Sequence, residues 1–360
     1  MTSLKLPQFK GSTVEVSILH AGQTTVPTAY VFETPIPGHD LLDIPCYSFL
    51  IENKKKSQRV LFDLGIRKDW REKLPPTILD QIKSAKAVVE IEHDVADQLR
   101  KANIPLHSIN SIIWSHHHMD HTGDPSIFPP STELLVGPGF QLDKATTPGY
   151  PDNMDAVVTN DAFIGRNLVE VDFSGAIDLG GFPAVDFFQD GSLYLLRSNG
   201  HTHNHISALA RTSENHFILL AGDVAHHPGE YRPSDHLPLP TEITPSPLDR
   251  ATHTVPACPS SIFEAISPAR LKSKNVKSTP FYELNAAMNE DLENAKVSLE
   301  RMIPFDGSEN VFVIIAHDAS LLDVLPFFPE SLTDWEVKGY KVAGTWQFLK
   351  DFNAAIGQFA

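Results

Sequence analysis

The 360-residue chain carries 45 acidic against 29 basic side chains, a formal net charge of -16, with 41% hydrophobic and 21% charged residues. That balance fits a folded globular protein with ample core and excludes the basic face that nucleic acid or an anionic membrane demands of a partner. No run approaches the roughly 18 apolar residues needed to cross a bilayer, and the N-terminal MTSLKLPQFKGST lacks the apolar centre of a secretion signal. Two cysteines, Cys46 and Cys258, are too few for a disulfide framework and suit a reducing compartment, so a cytoplasmic protein is expected. Neither has a second Cys or His at ligand spacing, which leaves both outside any expected metal site.

Strand-like and helix-like stretches alternate along the chain. Residues 14–19 alternate in polarity as a half-buried strand does, and 45–51 and 59–63 follow as strands separated by the charged hairpin loop 52–56. Asp63-Leu64-Gly65 turns the chain out of the third strand. A helical period over 88–103 (Val89, Ile91, Val95, Leu99) ends before Pro105. Apolar residues 109–114 form the next strand, and 184–188, 193–197, 205–210 and 217–221 supply more. A last helix over about 284–302 precedes the apolar strand 311–316. Between them, residues 226–280 hold ten prolines and no convincing long periodic run. A segment of that kind inside a compact domain is usually functional or disordered; it is read as a Pro-rich insertion over the pocket within a single domain of residues 1–360, the alternative being a surface decoration far from the chemistry.

The strands end in chemistry. Directly after Ile112-Ile113-Trp114 comes Ser115-His116-His117-His118-Met119-Asp120-His121, four histidines and a carboxylate in seven residues. Imidazole nitrogen and carboxylate oxygen are the ligand atoms that zinc and similar dications take. Residues two apart in an extended segment point the same way, so His116, His118 and Asp120 can converge while His121 opens the next turn and His117 points away. Three further strand ends repeat the logic: Gly200-His201-Thr202 after 193–197, Gly222-Asp223 after 217–221, and His317-Asp318 after 311–316. A carboxylate at the end of a buried strand is costly unless a cation or donors meet it.

These residues resemble the metallo-β-lactamase superfamily. Its His-x-His-x-Asp-His signature is matched by His116, His118, Asp120 and His121. The Gly-His-Thr-like turn, the Gly-Asp strand end and the late histidine follow at His201, Asp223 and His317, and Asp63-Leu64-Gly65 matches the early Asp-x-Gly turn. The 22-residue step from His201 to Asp223, and His317-Asp318 after an apolar strand, are most similar to the N-acyl homoserine lactonase branch. The resemblance implies an α/β fold, the αββα sandwich, with two zinc ions at one edge. His116, His118 and His201 would hold the first, Asp120, His121 and His317 the second, and Asp223 would bridge them. It implies a hydroxide nucleophile held between dications about 3.5 Å apart, with Asp120 moving its proton.

The lactonase branch places a substrate-facing Tyr three residues after the bridging Asp; here the position is His226, which either donates to the oxyanion in its place or merely opens the insertion. His117, His203, His205 and His227 are expected to support the site rather than to ligate, and His20 to be a core histidine. The activity implied is opening of a lactone of a small apolar metabolite. The alternatives are a γ-lactam or cyclic carbamate hydrolase in xenobiotic detoxification, and then a thioesterase. A non-catalytic ligand-binding protein of this fold would have lost ligands, and none of the seven is lost. The partner expected is a small-molecule substrate, with a homodimer as the oligomer the reading allows.

Overall fold

The computed structural model describes residues 4–248 and 257–357. Its strands are β1 (Glu15–Pro27), β2 (Leu41–Asn53), β3 (Gln58–Phe62), β4 (Val88–Glu90), β5 (Ser111–Ile113), β6 (Glu133–Val136), β7 (Leu168–Glu170), β8 (Ile177–Leu179), β9 (Phe182–Asp186), β10 (Leu193–Arg197), β11 (Ile206–Arg211), β12 (Phe217–Gly222), β13 (Glu242–Ile243), β14 (Cys258–Pro259) and β15 (Val311–Ile315). Seven form one sheet in the order β4-β1-β2-β3-β5-β6-β7, and six form a second in the order β15-β12-β11-β10-β9-β8.

Side-chain alternation makes the sandwich. In the first sheet Phe49, Ile51, Val60, Phe62 and Ile113 turn inward, where they meet Leu193, Leu195, Ala208, Ile218, Leu220 and Ile314 of the second. Their neighbours face outward: Leu50, Leu61 and Ile112 pack on Val95, Ala96 and Leu99 of the helix Val95–Lys101. On the far side Phe217, Leu219, Ala221, Val311, Val313 and Ile315 pack on Met302 and Phe305 of the helix Leu292–Asp306. Period-2 strands buried on both faces therefore give an αββα sandwich, with each fully buried Leu or Ile contributing about 1.5–3 kcal/mol.

Two expected helices are shorter than their periodicity suggested. The 88–103 pattern is split: Val88, Val89 and Glu90 pair antiparallel with β1 as an edge strand, exposed-buried-exposed. The helix starts only where Asp94 caps it, its carboxylate accepting from the Asp97 amide at 2.7 Å. The last helix likewise begins behind Asp291, which accepts from the Asn294 amide at 3.0 Å, and it runs on to Asp306.

The 226–280 segment is more ordered than its prolines suggested. It carries the β13–β14 ribbon and the helix Ser261–Ile266, while residues 249–256 fall outside the described residues. Leu239, Ile243, Cys258 and Phe263 form a core with Phe32, Leu42 and Ile44 at the end of the β1–β2 hairpin and with Phe348, Leu349 and Phe352 near the C-terminus.

Parallel pairing sets up one end of the sandwich. β3 and β5 run side by side with Phe62 opposite Ile113, so Asp63 and the histidine cluster leave the sheet together. β12 and β15 pair with Gly222 opposite Ile315, which delivers Asp223 and His317 next to each other. The Ile206 amide donates to the Ser115 carbonyl at 2.9 Å and the Tyr47 amide to the Ala316 carbonyl at 3.1 Å, so the two sheets are tied at that end.

Candidate metal centre

All seven side chains singled out by sequence converge at this end. His116, His118, His201 and Asp223 offer ligand atoms within 4.8 Å of one another, as do His121, Asp223 and His317. Asp223 belongs to both groups. Its Oδ2 lies 3.5 Å from His201 Nε2 and 3.9 Å from His116 Nε2, while Oδ1 lies 3.1 Å from His121 Nε2 and 3.2 Å from His317 Nε2. His118 faces the cluster with Nδ1, 3.0 Å from His201 Nε2. Asp120 approaches the second group, its Oδ2 3.6 Å from His317 Nε2, and its side chain keeps 21% exposure.

The surrounding bonds decide which nitrogen faces inward. His317 Nδ1 lies 2.8 Å from the Pro45 carbonyl, which can only accept, so Nδ1 carries the proton and Nε2 the lone pair. His121 Nδ1 likewise donates to Asp63 Oδ2 at 2.8 Å. Ser115 Oγ donates to the same Asp63 oxygen at 2.8 Å and is thereby left to accept from His116 Nδ1 at 3.0 Å. Three imidazoles thus present Nε2 lone pairs, the arrangement in which an outer partner fixes a metal-binding tautomer. Asp63 itself sits at φ 59, a left-handed turn that sharply redirects the chain after β3.

Asp223 is held from behind. Its amide donates to His205 Nε2 at 3.0 Å, and His205 Nδ1 turns to the Ser198 carbonyl at 3.1 Å. Gly222 is required there: at φ +57 an added Cβ would stand 2.6 Å from His205 Nε2. Gly200 is pressed against the helix Leu292–Asp306, a Cβ there meeting the Ala295 amide nitrogen at 2.1 Å.

The electrostatics favour a cation. Burial and then the neighbouring His121 hold His116 well below the usual imidazole range; burial and His117 push His118 down to about 3. Burial acts against charge on His121 too, but Asp223, Asp63 and Asp120 outweigh it and hold that ring well above its ordinary value. His116 Nε2 and Asp223 Oδ1 are buried with no hydrogen-bond partner. Orphaned buried acceptors of this kind demand an explanation, and imidazoles alternating with carboxylates are a donor set that fits dications such as zinc.

The remaining histidines sort as follows. His117 faces Glu290, with Nε2 3.5 Å from Oε1, and His203 is exposed beside the same carboxylate. His227 accepts from the Gly229 amide and meets Asp351 at 3.2 Å. His226 is buried, its Nε2 3.4 Å from Asp223 Oδ2 and both ring nitrogens without a hydrogen-bond partner. His20 is half-buried and, with Gly22, Glu90, Ile91, Gln98 and Phe328, lines a cleft of about 610 Å³ to which none of the seven contributes.

Cys46 stands nearer to this centre than its spacing in the sequence suggested. Sequence spacing excluded it, yet its sulfur, a carboxylate oxygen of Asp120 and a ring nitrogen of His317 lie within 4.8 Å of one another. Burial, reinforced by Asp120, Asp223 and Asp63, pushes its thiol well above the usual range. Strand β2 carries Cys46 past the ends of β5 and β15, a juxtaposition created by the sandwich and invisible to local spacing.

An αββα sandwich with clustered His and Asp side chains at its strand ends defines a metal-dependent hydrolase. No family model matches the chain. Gamma-lactamase FDB1 of Fusarium pseudograminearum is 40% identical over 98% of this chain and 87% of its own length. Metallo-hydrolase mfmC of Annulohypoxylon moriforme is 36% identical, covering 96% of this chain and 89% of its own. Other relatives are longer: the chain spans 39% of the length of Cytochrome P450 monooxygenase mpaDE' of Penicillium brevicompactum. An N-acyl homoserine lactone hydrolase solved with N-hexanoyl-L-homoserine at its catalytic metal centre superposes with a TM-score of 0.58, at 15% identity over 92% of this chain and 100% of that one. The chain belongs to the metallo-β-lactamase superfamily.

Proposed function

We propose that the protein is a dinuclear zinc hydrolase that opens the lactone ring of a small apolar metabolite. His116, His118 and His201 hold one metal, Asp120, His121 and His317 the other, and Asp223 is shared. The observation that carries this reading is the position of Asp223, with one oxygen 3.5 Å from His201 and the other 3.1 Å from His121. When bound, such a metal pair lowers the pKa of a water towards about 7 and polarises a carbonyl.

The chain's own groups do the rest. Asp120, partly open to solvent, takes the proton of the attacking water and returns it to the leaving oxygen. His226, with no hydrogen-bond partner for its ring, donates to the carbonyl oxygen as charge develops there. The 226–280 segment starts at this histidine and walls the substrate pocket of a single domain, and the two free buried cysteines suit the cytosol.

A second reading is favoured by one observation, the γ-lactamase name of the relative that is 40% identical. A γ-lactam or cyclic carbamate asks for the same attack, but its leaving nitrogen must be protonated, which puts more of the burden on Asp120. Zinc-loaded protein offered simple γ-lactones, γ-lactams, cyclic carbamates and thioesters separates the readings. Lactone opening supports the first and lactam or carbamate opening the second. Thioester hydrolysis with neither ring opened overturns both.

A further inference from the structure

We propose that Cys46 supplies a thiolate ligand to the metal held by Asp120 and His317. The proposal rests on the dinuclear reading above and adds to it a residue that the superfamily motif does not contain.

Three observations carry it. The Cys46 sulfur shares one cluster with an Asp120 oxygen and a His317 ring nitrogen, all within 4.8 Å. The cysteine is fully buried, and among the described residues its thiol has one hydrogen bond, a long one of 3.8 Å to the Ile44 carbonyl. Asp223 Oδ1, which stands 3.1–3.2 Å from His121 and His317 in the same half of the site, is buried without a hydrogen-bond partner, so that half presents a further donor aimed at a cation. Backbone contacts hold the sulfur in place. The neighbouring Pro45 carbonyl fixes His317 through Nδ1 at 2.8 Å, and the following Tyr47 amide donates to the Ala316 carbonyl at 3.1 Å. Cys46 and His317 are therefore positioned by the same stretch of β2.

The chemistry balances simply. The thiol loses its proton to the solvent buffer as the sulfur–metal bond forms, with no change of oxidation state. With two carboxylates and a thiolate, the centre is one charge less positive than the seven motif residues alone would make it. The softer ligand also selects zinc, cobalt or cadmium over manganese or magnesium on that side.

Cobalt(II) reports on sulfur directly, because a thiolate ligand gives an intense near-ultraviolet charge-transfer band that nitrogen and oxygen ligands do not. Full-length protein carrying Cys258→Ser has Cys46 as its sole thiol. Loaded with about two cobalt ions per chain, it is expected to show the band, and Cys46→Ala in the same background to lose it. Cys46→Ser, the closest replacement in size, controls for packing: it is expected to keep the fold and lose the band. Two bound cobalt ions without the band overturn the Cys46 assignment while leaving the metal centre intact. Failure of the folded protein to bind cobalt or zinc at all overturns the dinuclear reading and this proposal with it.

Discussion

Asp63 Oδ2 accepts from His121 Nδ1 at 2.8 Å, and the same carboxylate takes the Ser115 amide at 2.6 Å and the Ser115 hydroxyl at 2.8 Å. One side chain at a left-handed turn therefore sets the tautomer of one candidate ligand and, through Ser115, of a second. Asp63→Asn keeps the size but presents an amide that can leave His121 with its proton on the wrong nitrogen. Zinc affinity is expected to fall by about 10–100-fold, measured by competition with a chromophoric chelator, with the fold retained by circular dichroism. Unchanged affinity would show that Asp63 merely fills space.

His226 gives a kinetic test. Loss of an oxyanion donor costs about 10²–10³ in kcat, so His226→Ala is expected to lose that much while its metal content stays at the wild-type level. A variant that loses metal instead would make His226 a ligand or a ligand support.

The sandwich and its strand ends were legible because apolar strands that stop in His, Asp or Gly-Asp are rare by chance. The strand 193–197 was found at its full extent, and those leading to the histidine cluster, Asp223 and His317 within one or two residues of theirs. The short parallel strands Glu133–Val136 and Leu168–Glu170 were not found, because three or four residues cannot establish a period. The helical pattern over 88–103 misled since Val89 and Ile91 satisfy alternation as well as a helix face. The place of Cys46 beside Asp120 was not legible for a different reason: 74 residues separate them, and the stacking of β2 across the strand ends brings them together.

Stability should fall on mild acidification. Burial, and then the neighbouring His227, depress His39 to about 4 from an ordinary value of 6.5. Between those values the unfolded chain binds more protons than the folded one, so stability is fully present above pH 6.5 and is lost as pH falls towards 4. The loss from this group is on the order of 3 kcal/mol. His39→Gln, which can keep the contact with the Tyr282 hydroxyl seen at 2.7 Å, is expected to flatten the slope of denaturation free energy against pH by about one proton. An unchanged slope at matched metal content would place the acid sensitivity elsewhere.

Arg232 and Asp306 form a fully buried two-pronged pair, Nε to Oδ2 at 2.9 Å and Nη2 to Oδ1 at 2.6 Å, and Arg232 also donates to the Thr345 carbonyl. Asp306→Ala strands the guanidinium without a counter-charge and is expected to cost about 3–5 kcal/mol, read from urea denaturation. A loss below about 1 kcal/mol, the size of an exposed pair, would show that water reaches the arginine.

The central claim is that Asp223 joins two metal sites that act together. Its most direct test is turnover of the substrate found in the ring-opening panel, followed while zinc is titrated into metal-stripped protein. No turnover is expected without metal, and the rise is expected to reach its plateau only at about two equivalents per chain. Full turnover in the stripped protein, or a plateau at one equivalent, would contradict it.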